Sequence, residues 1–277
     1  MNVFVLGYIL LWLALAANVA GVLHPARGLD RAAVFTAAAA WTAVTFGLIA
    51  RGLGAGHWPL TNRYEFALCC AWAIVGLYLF QRARWRDVPF SSRQICAGGA
   101  AVIALALLVA TFALTRPAGE RAIYPLLPAL RSAWLQVHVL SGAIGYGACG
   151  VAAGLALARV LGARGPAAGA DPGVEYADRA IERTIAWAFL WLTLSLLTGA
   201  IWAQAAWGRY WGWDPKESWA LITWLWFLLV LHLRGIRRWR GVRLAALVVA
   251  GFVIVLFTFA GLPWLVRTVR LTTLHGF

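Results

Sequence analysis

The chain has 277 residues, 62% of them hydrophobic, with a mean hydropathy of +0.76, which is too apolar for a soluble domain and long enough for several spans of roughly 20 residues. Its net charge of +14 is distributed in short runs between apolar segments and comes with no recognised nucleic-acid motif, so the charge argues for membrane topology and against a nucleic-acid partner. The four cysteines, Cys69, Cys70, Cys96 and Cys149, lie in or beside apolar segments without CxxC spacing, which argues against a disulfide framework or a zinc site.

Eight apolar stretches follow in chain order: 3–23, 32–49, 64–80, 95–114, 133–161, 185–207, 215–233 and 243–264. The first has the length of a span and lacks the basic leader of a signal peptide, so it counts as a helix. At the start of the third, Asn62 or Thr61 is placed to cap and Glu65 falls in the first turn; Ser132 is placed to cap the fifth. The longest polar break, 162–183, is rich in Gly, Ala, Pro and charge and reads as a flexible loop joining two helical groups. The pattern predicts an all-α polytopic membrane protein of about eight transmembrane helices, organised as a single domain over 1–277 and lying in a lipid bilayer. Its low lysine content and abundant alanine and glycine point to a GC-rich bacterial genome and hence to the bacterial cytoplasmic membrane.

Alternate connections divide the 24 basic residues into 15 on one side, around Arg27, Arg82, Arg164 and Arg237, and 9 on the other. The richer side is predicted to face the cytoplasm. Both termini, the 207–214 connection, His57, His138 and His275 then fall on the outer, periplasmic side, with His24 and His232 toward the cytoplasm.

The segment WGRYWGWDPKESWALI, residues 207–222, carries Trp207, Trp211, Trp213 and Trp219 around a sharply specified helix start. Asp214, Pro215 and Glu217 occupy N-cap, N1 and N3, where the carboxylates satisfy free amides and proline suits the first turn. One reading is an interfacial aromatic belt. The other is a flat hydrophobic platform for a large planar ligand, with porphyrin the leading candidate. Arg131, Arg209 and Lys216 are nearby cations suited to anionic groups of such a ligand, or to a solvated boundary.

Three of the five histidines have two readings. His232 lies 18 residues after Asp214, a whole number of helical turns, on a stripe with Leu221, Leu225 and Leu228; it is either packed against another helix or an axial haem ligand. His138, about two turns into the fifth helix, and His275, after the last, would lie near the same surface, as a ligand pair or as separate interfacial residues. His57 reads as a loop residue and His24 as part of an ordinary turn. The stripe Trp187, Trp191, Ser195, Thr198 and Trp202 on the sixth helix reads as helix packing more than as a cofactor wall.

Taken together, these residues resemble the CcsA or ResC family of System II cytochrome c biogenesis, membrane haem handlers with a Trp-rich "WWD" loop. The resemblance rests on WGRYWGWDPKESWALITW (207–224), GHWPLTNRYE (56–65), WLQVHVLSGAIGYG (134–147), Leu231 with His232, and Leu274 with His275. It implies that His138 and His275 are external ligands to haem iron flanking the loop, with Trp207, Trp211, Trp213, Asp214 and Trp219 in the binding region. His232 is implied as the transmembrane ligand of an inner site. It further implies haem b as substrate, a CcsB- or ResB-like membrane partner, and transfer of haem to apocytochrome c CxxCH motifs, as part of a cytochrome c haem lyase. The chain itself has no CxxCH. Two departures are visible: LHGF ends the chain where the family has an LHSYG-like run, and Phe66 stands where serine is common. The alternative functions are a b-type haem electron-transfer subunit and a non-catalytic assembly or transport subunit.

Overall fold

A computed structural model describes residues 2–24, 27–84, 91–162, 172–236 and 239–269. Eight helices among them are long and apolar enough to cross a membrane, and no strand occurs among the described residues. They are α1 (Val3–Leu23), α2 (Arg27–Ala55), α3 (Arg63–Arg84), α4 (Ser92–Leu114), α5 (Ala133–Gly162), α6 (Pro172–Trp207), α7 (Pro215–Ile236) and α8 (Val242–Val269). The protein is an all-α polytopic membrane protein, as the hydropathy pattern predicts.

One expected boundary is corrected. Helix α6 begins at Pro172, so residues 172–183, expected within a flexible loop, are helical. The polar residues there have partners on neighbouring elements: Asp178 pairs with Arg159 at 3.0 Å and Glu182 with Arg234 at 2.6 Å. Residues 163–171 lie outside the described residues.

Helix α5 is the hub, packing against α3, α4, α6 and α8. In a bilayer, helices approach by fitting small residues against one another, because lipid competes equally for apolar surface. Gly154 shows the requirement: a Cβ there would come within 2.6 Å of a Val102 methyl. Polar side chains add sparse cross-links, among them Thr223 Oγ1 to Thr258 Oγ1 at 3.0 Å between α7 and α8, and Trp224 Nε1 donating to Thr193 Oγ1 at 2.8 Å between α7 and α6.

Helix α7 is packed least, burying Thr223, Phe227 and Val230 while Ile222, Leu225, Leu228 and Leu229 face outward. Helix α8 is interrupted by a π-turn at Phe257–Gly261. Such insertions bulge the helix and re-aim side chains. Here Thr258 turns to Thr223 while Phe259 and the following turns reach the cavity described below.

The end of the bundle carrying the α6–α7 connection, called here the Trp-rich end, is tied together by buried polar groups. Asn62 is the cap of α3: its Oδ1 accepts from the Glu65 amide at 2.9 Å. Glu65, 1% exposed, accepts from Arg51 Nε at 2.7 Å and from both the amide and hydroxyl of Thr61 at 2.8 Å. Arg51 also donates to the carbonyl of Arg121 at 2.9 Å. One carboxylate thus fastens α2 and the α4–α5 connection to the start of α3.

Candidate functional site

At the Trp-rich end, α3, α5, α6, α7 and α8 surround a cavity of about 510 Å³. That volume lies within the roughly 300–1,000 Å³ typical of cofactor and small-molecule sites. Its wall combines apolar residues such as Leu135, Leu196 and Phe259 with a few polar ones.

His138 is the pivotal side chain of that wall. Its Nδ1 lies 2.8 Å from the backbone carbonyl of Ser195. A carbonyl can only accept, so Nδ1 carries the proton and the neutral ring presents Nε2 with a free lone pair. Fixing one nitrogen by a hydrogen bond to protein is the usual way a metal-binding imidazole is oriented. The ring is held from two further directions. Trp202, almost fully buried, stacks on it with centroids 6.2 Å apart and an 11° interplanar angle, and is itself anchored by Nε1 donating to the Ala129 carbonyl at 2.9 Å. Gly199 lies flush against it, since a Cβ there would be 2.7 Å from His138 Nδ1.

Ser195 and Trp202 belong to the α6 stripe that reads as helix packing in the sequence. Both pack against His138 of α5, as that reading has it, and they also line the cavity, while Trp187 faces outward at the other end of the stripe.

The α6–α7 connection is shaped as its sequence predicts. Asp214 Oδ1 accepts from the Lys216 amide at 2.9 Å, and Glu217 reaches back to the amides of Gly212 and Asp214 at 2.8 and 3.2 Å, which together make a reciprocal cap. The tryptophans do not form one flat shelf. Trp211 and Trp213 cross at 88° with centroids 5.7 Å apart. Trp213 is 71% exposed and has a φ of 56°, a left-handed conformation costing an L-residue about 1–2 kcal/mol. Trp207 packs edge-on to Trp202, and Trp219 against Phe257. Of the four, Trp211 lines the cavity, and its buried Nε1 has no hydrogen-bond partner among the described residues.

Thus His138 and Trp211 meet at one cavity, whereas Trp207, Trp213, Asp214 and Trp219 shape or flank it. His275 lies outside the described residues. His232 sits at the far end of α7, exposed, on the same outward face as Leu225 and Leu228. His57 is a loop residue whose Nδ1 lies 2.9 Å from the Trp58 carbonyl, and His24 closes α1 by donating its amide to Ala20. Of the three cations singled out in the sequence, Lys216 lines the cavity. Arg131 instead donates to the Leu126 carbonyl, and Arg209 folds beneath Gly212. Arg63 and Arg267, which sequence reasoning passed over, are on the wall.

A family model described as cytochrome C assembly protein matches residues 60–270. The chain is 36% identical over 247 residues to the cytochrome c biogenesis protein CcsA of Parasynechococcus marenigrum (strain WH8102), covering 79% of this chain and 78% of that protein. It is 35% identical over 284 residues to CcsA of Synechococcus sp. (strain CC9605), covering 92% and 90%. Against CcsA of Chlamydomonas reinhardtii it is 34% identical over 218 residues, covering 77% of this chain and 60% of that one. A solved structure of cytochrome c heme lyase CcmF superposes with a TM-score of 0.64 over 94% of this chain at 18% identity. At that identity the likeness concerns the fold alone. This chain spans about half of that lyase, 47% of its length.

Proposed function

The chain belongs to the family of cytochrome c assembly proteins and serves cytochrome c maturation, in which haem and apocytochrome c take part; we propose that it holds haem b at the Trp-rich end and presents it for covalent attachment. The observation that carries this reading is the His138–Ser195 hydrogen bond, which leaves Nε2 free on the wall of a cofactor-sized, largely apolar cavity. An oriented neutral imidazole suits haem iron, and apolar and aromatic walls suit a porphyrin face.

His275 is the second axial ligand in this proposal. His232, on the exposed face of α7, serves an inner site completed by a histidine from a CcsB- or ResB-like partner packed against that face. The Trp-rich end faces the periplasm, as the 15-to-9 division of basic residues favours. Apocytochrome thiols meet haem there, each thioether forming by addition of S–H across a vinyl C=C. This chain's residues bind, orient and shield; the reactivity is that of haem and the apocytochrome cysteines. The work is that of a subunit of a System II synthase.

Co-expression with a CxxCH reporter, with and without a CcsB- or ResB-like partner, tests this. Covalent haem on the reporter that depends on this chain and on His138 supports it. Covalent haem that forms equally well with His138→Ala contradicts it.

A further inference from the structure

Among the described residues three cations reach the cavity from three separate helices: Arg63 from the start of α3, Lys216 from the start of α7, and Arg267 from the end of α8. Arg63 is close enough to both Lys216 and Arg267 for mutual repulsion. Arg63 has a counter-ion in Glu120 at 3.0 Å. Lys216 and Arg267 form no ion pair with any described residue, although Asp214 offsets part of the Lys216 charge. Among the described residues the one acid on the cavity wall, Glu217, has an oxygen committed to the Gly212 and Asp214 amides. On the same cavity wall the buried Trp211 indole N–H is a donor without an acceptor among the described residues. Buried donors are rarely left unpaired, and Lys216 and Arg267, exposed at the cavity mouth, hold two charges that no described carboxylate pairs.

From this convergence we propose that Lys216, Arg267 and the Trp211 indole N–H form the carboxylate-binding edge of the cavity, taking the two propionates of haem. The inference rests on the haem reading above and deepens it. An apolar chamber with these donors at its Trp-rich end fits a planar ring whose two carboxylates lie on one side, through charge-assisted hydrogen bonds. Haem carries its vinyl groups on the half opposite the propionates. Anchoring the propionates here therefore fixes the rotation of the ring in its plane and turns the vinyl half away from the cations. Lys216, Arg267 and Trp211 are positioning residues in this sense, deciding which edge of the ring an incoming thiol meets.

The test is a Soret titration of the detergent-solubilised full chain with two probes, haem and haem dimethyl ester, whose propionates carry no charge. The wild type is expected to bind haem about tenfold or more tighter than the ester, as expected when charge-assisted bonds are lost. In Lys216→Gln combined with Arg267→Gln, the two probes should bind within about twofold of each other, with affinity for the ester retained. Equal binding of both probes by the wild type would overturn the propionate edge while leaving haem binding intact. If the wild type bound neither, the haem reading would fall as well. Should the double variant lose ester binding through misfolding, the charge-retaining pair Lys216→Arg with Arg267→Lys decides: restored preference for haem supports the proposal, and no preference overturns it.

Discussion

The 2.8 Å contact between His138 Nδ1 and the Ser195 carbonyl joins α5 to α6 across 57 residues of sequence and sets which ring nitrogen faces the cavity. The Ser195 hydroxyl adds a weaker approach at 3.2 Å and donates to the His138 carbonyl at 3.1 Å. Because the backbone carbonyl supplies the main acceptor, Ser195→Ala should leave haem retention close to wild type. Gly199→Ala should not, since the new methyl would sit within 2.7 Å of Nδ1 and force the ring to move. A loss on the order of 10–100-fold in affinity is expected for Gly199→Ala, the range seen when groups orienting a metal-bound histidine are disturbed. Haem titration of both variants checks the order, and equal retention would contradict it.

The tryptophans of the connection should separate by position. Trp211 lines the cavity and Trp213 stands outside it, edge-on and exposed. Trp211→Ala is therefore expected to lower haem retention about fivefold, the scale of an aromatic contact worth ~1 kcal/mol, and Trp213→Ala to leave it within about twofold. Haem-to-protein ratios of the purified variants measure this. The reverse order would mean that the connection rearranges around its ligand.

Glu65 is the knot of the Trp-rich end. Glu65→Gln leaves Arg51, itself mostly buried, without its counter-charge, and breaking a buried pair from one side costs about 3–5 kcal/mol. Heat-induced aggregation in detergent should begin at lower temperature for Glu65→Gln than for the wild type. Arg63→Gln, whose pair with Glu120 is more open to water, should shift it much less.

Much of the fold is legible from hydropathy because each span is a run of apolar residues bounded by charge, and the caps at Asn62 and Asp214 are legible because capping is local. The first turns of α6 are not. Residues Glu175, Asp178, Glu182 and Arg183 look like loop, and the ion pairs of Asp178 with Arg159 and of Glu182 with Arg234 exist only once the bundle has formed. The site is legible at His138 and Trp211 through their motifs. Ser195, Gly199 and Trp202 are not legible as site residues, because their role depends on a contact made between helices. Arg63 and Arg267 sit at span ends, where any membrane protein carries charge, so convergence on one cavity is what distinguishes them.

Sidedness is tested by fusing reporters to two connections. With 15 of the 24 basic residues on one set of connections, a reporter after Arg238 should behave as cytoplasmic and one after Phe277 as periplasmic. The opposite result would put the cavity mouth on the cytoplasmic side, where exported apocytochrome could not reach it.

The central claim is that His138 Nε2 ligates haem iron, and the optical spectrum of purified His138→Gly with and without added imidazole tests it most directly. Loss of the low-spin, bis-imidazole type of spectrum in the variant, with its return when free imidazole occupies the vacated space, is the predicted result. Wild-type haem stoichiometry with an unchanged low-spin spectrum in His138→Gly, indifferent to imidazole, would contradict the account.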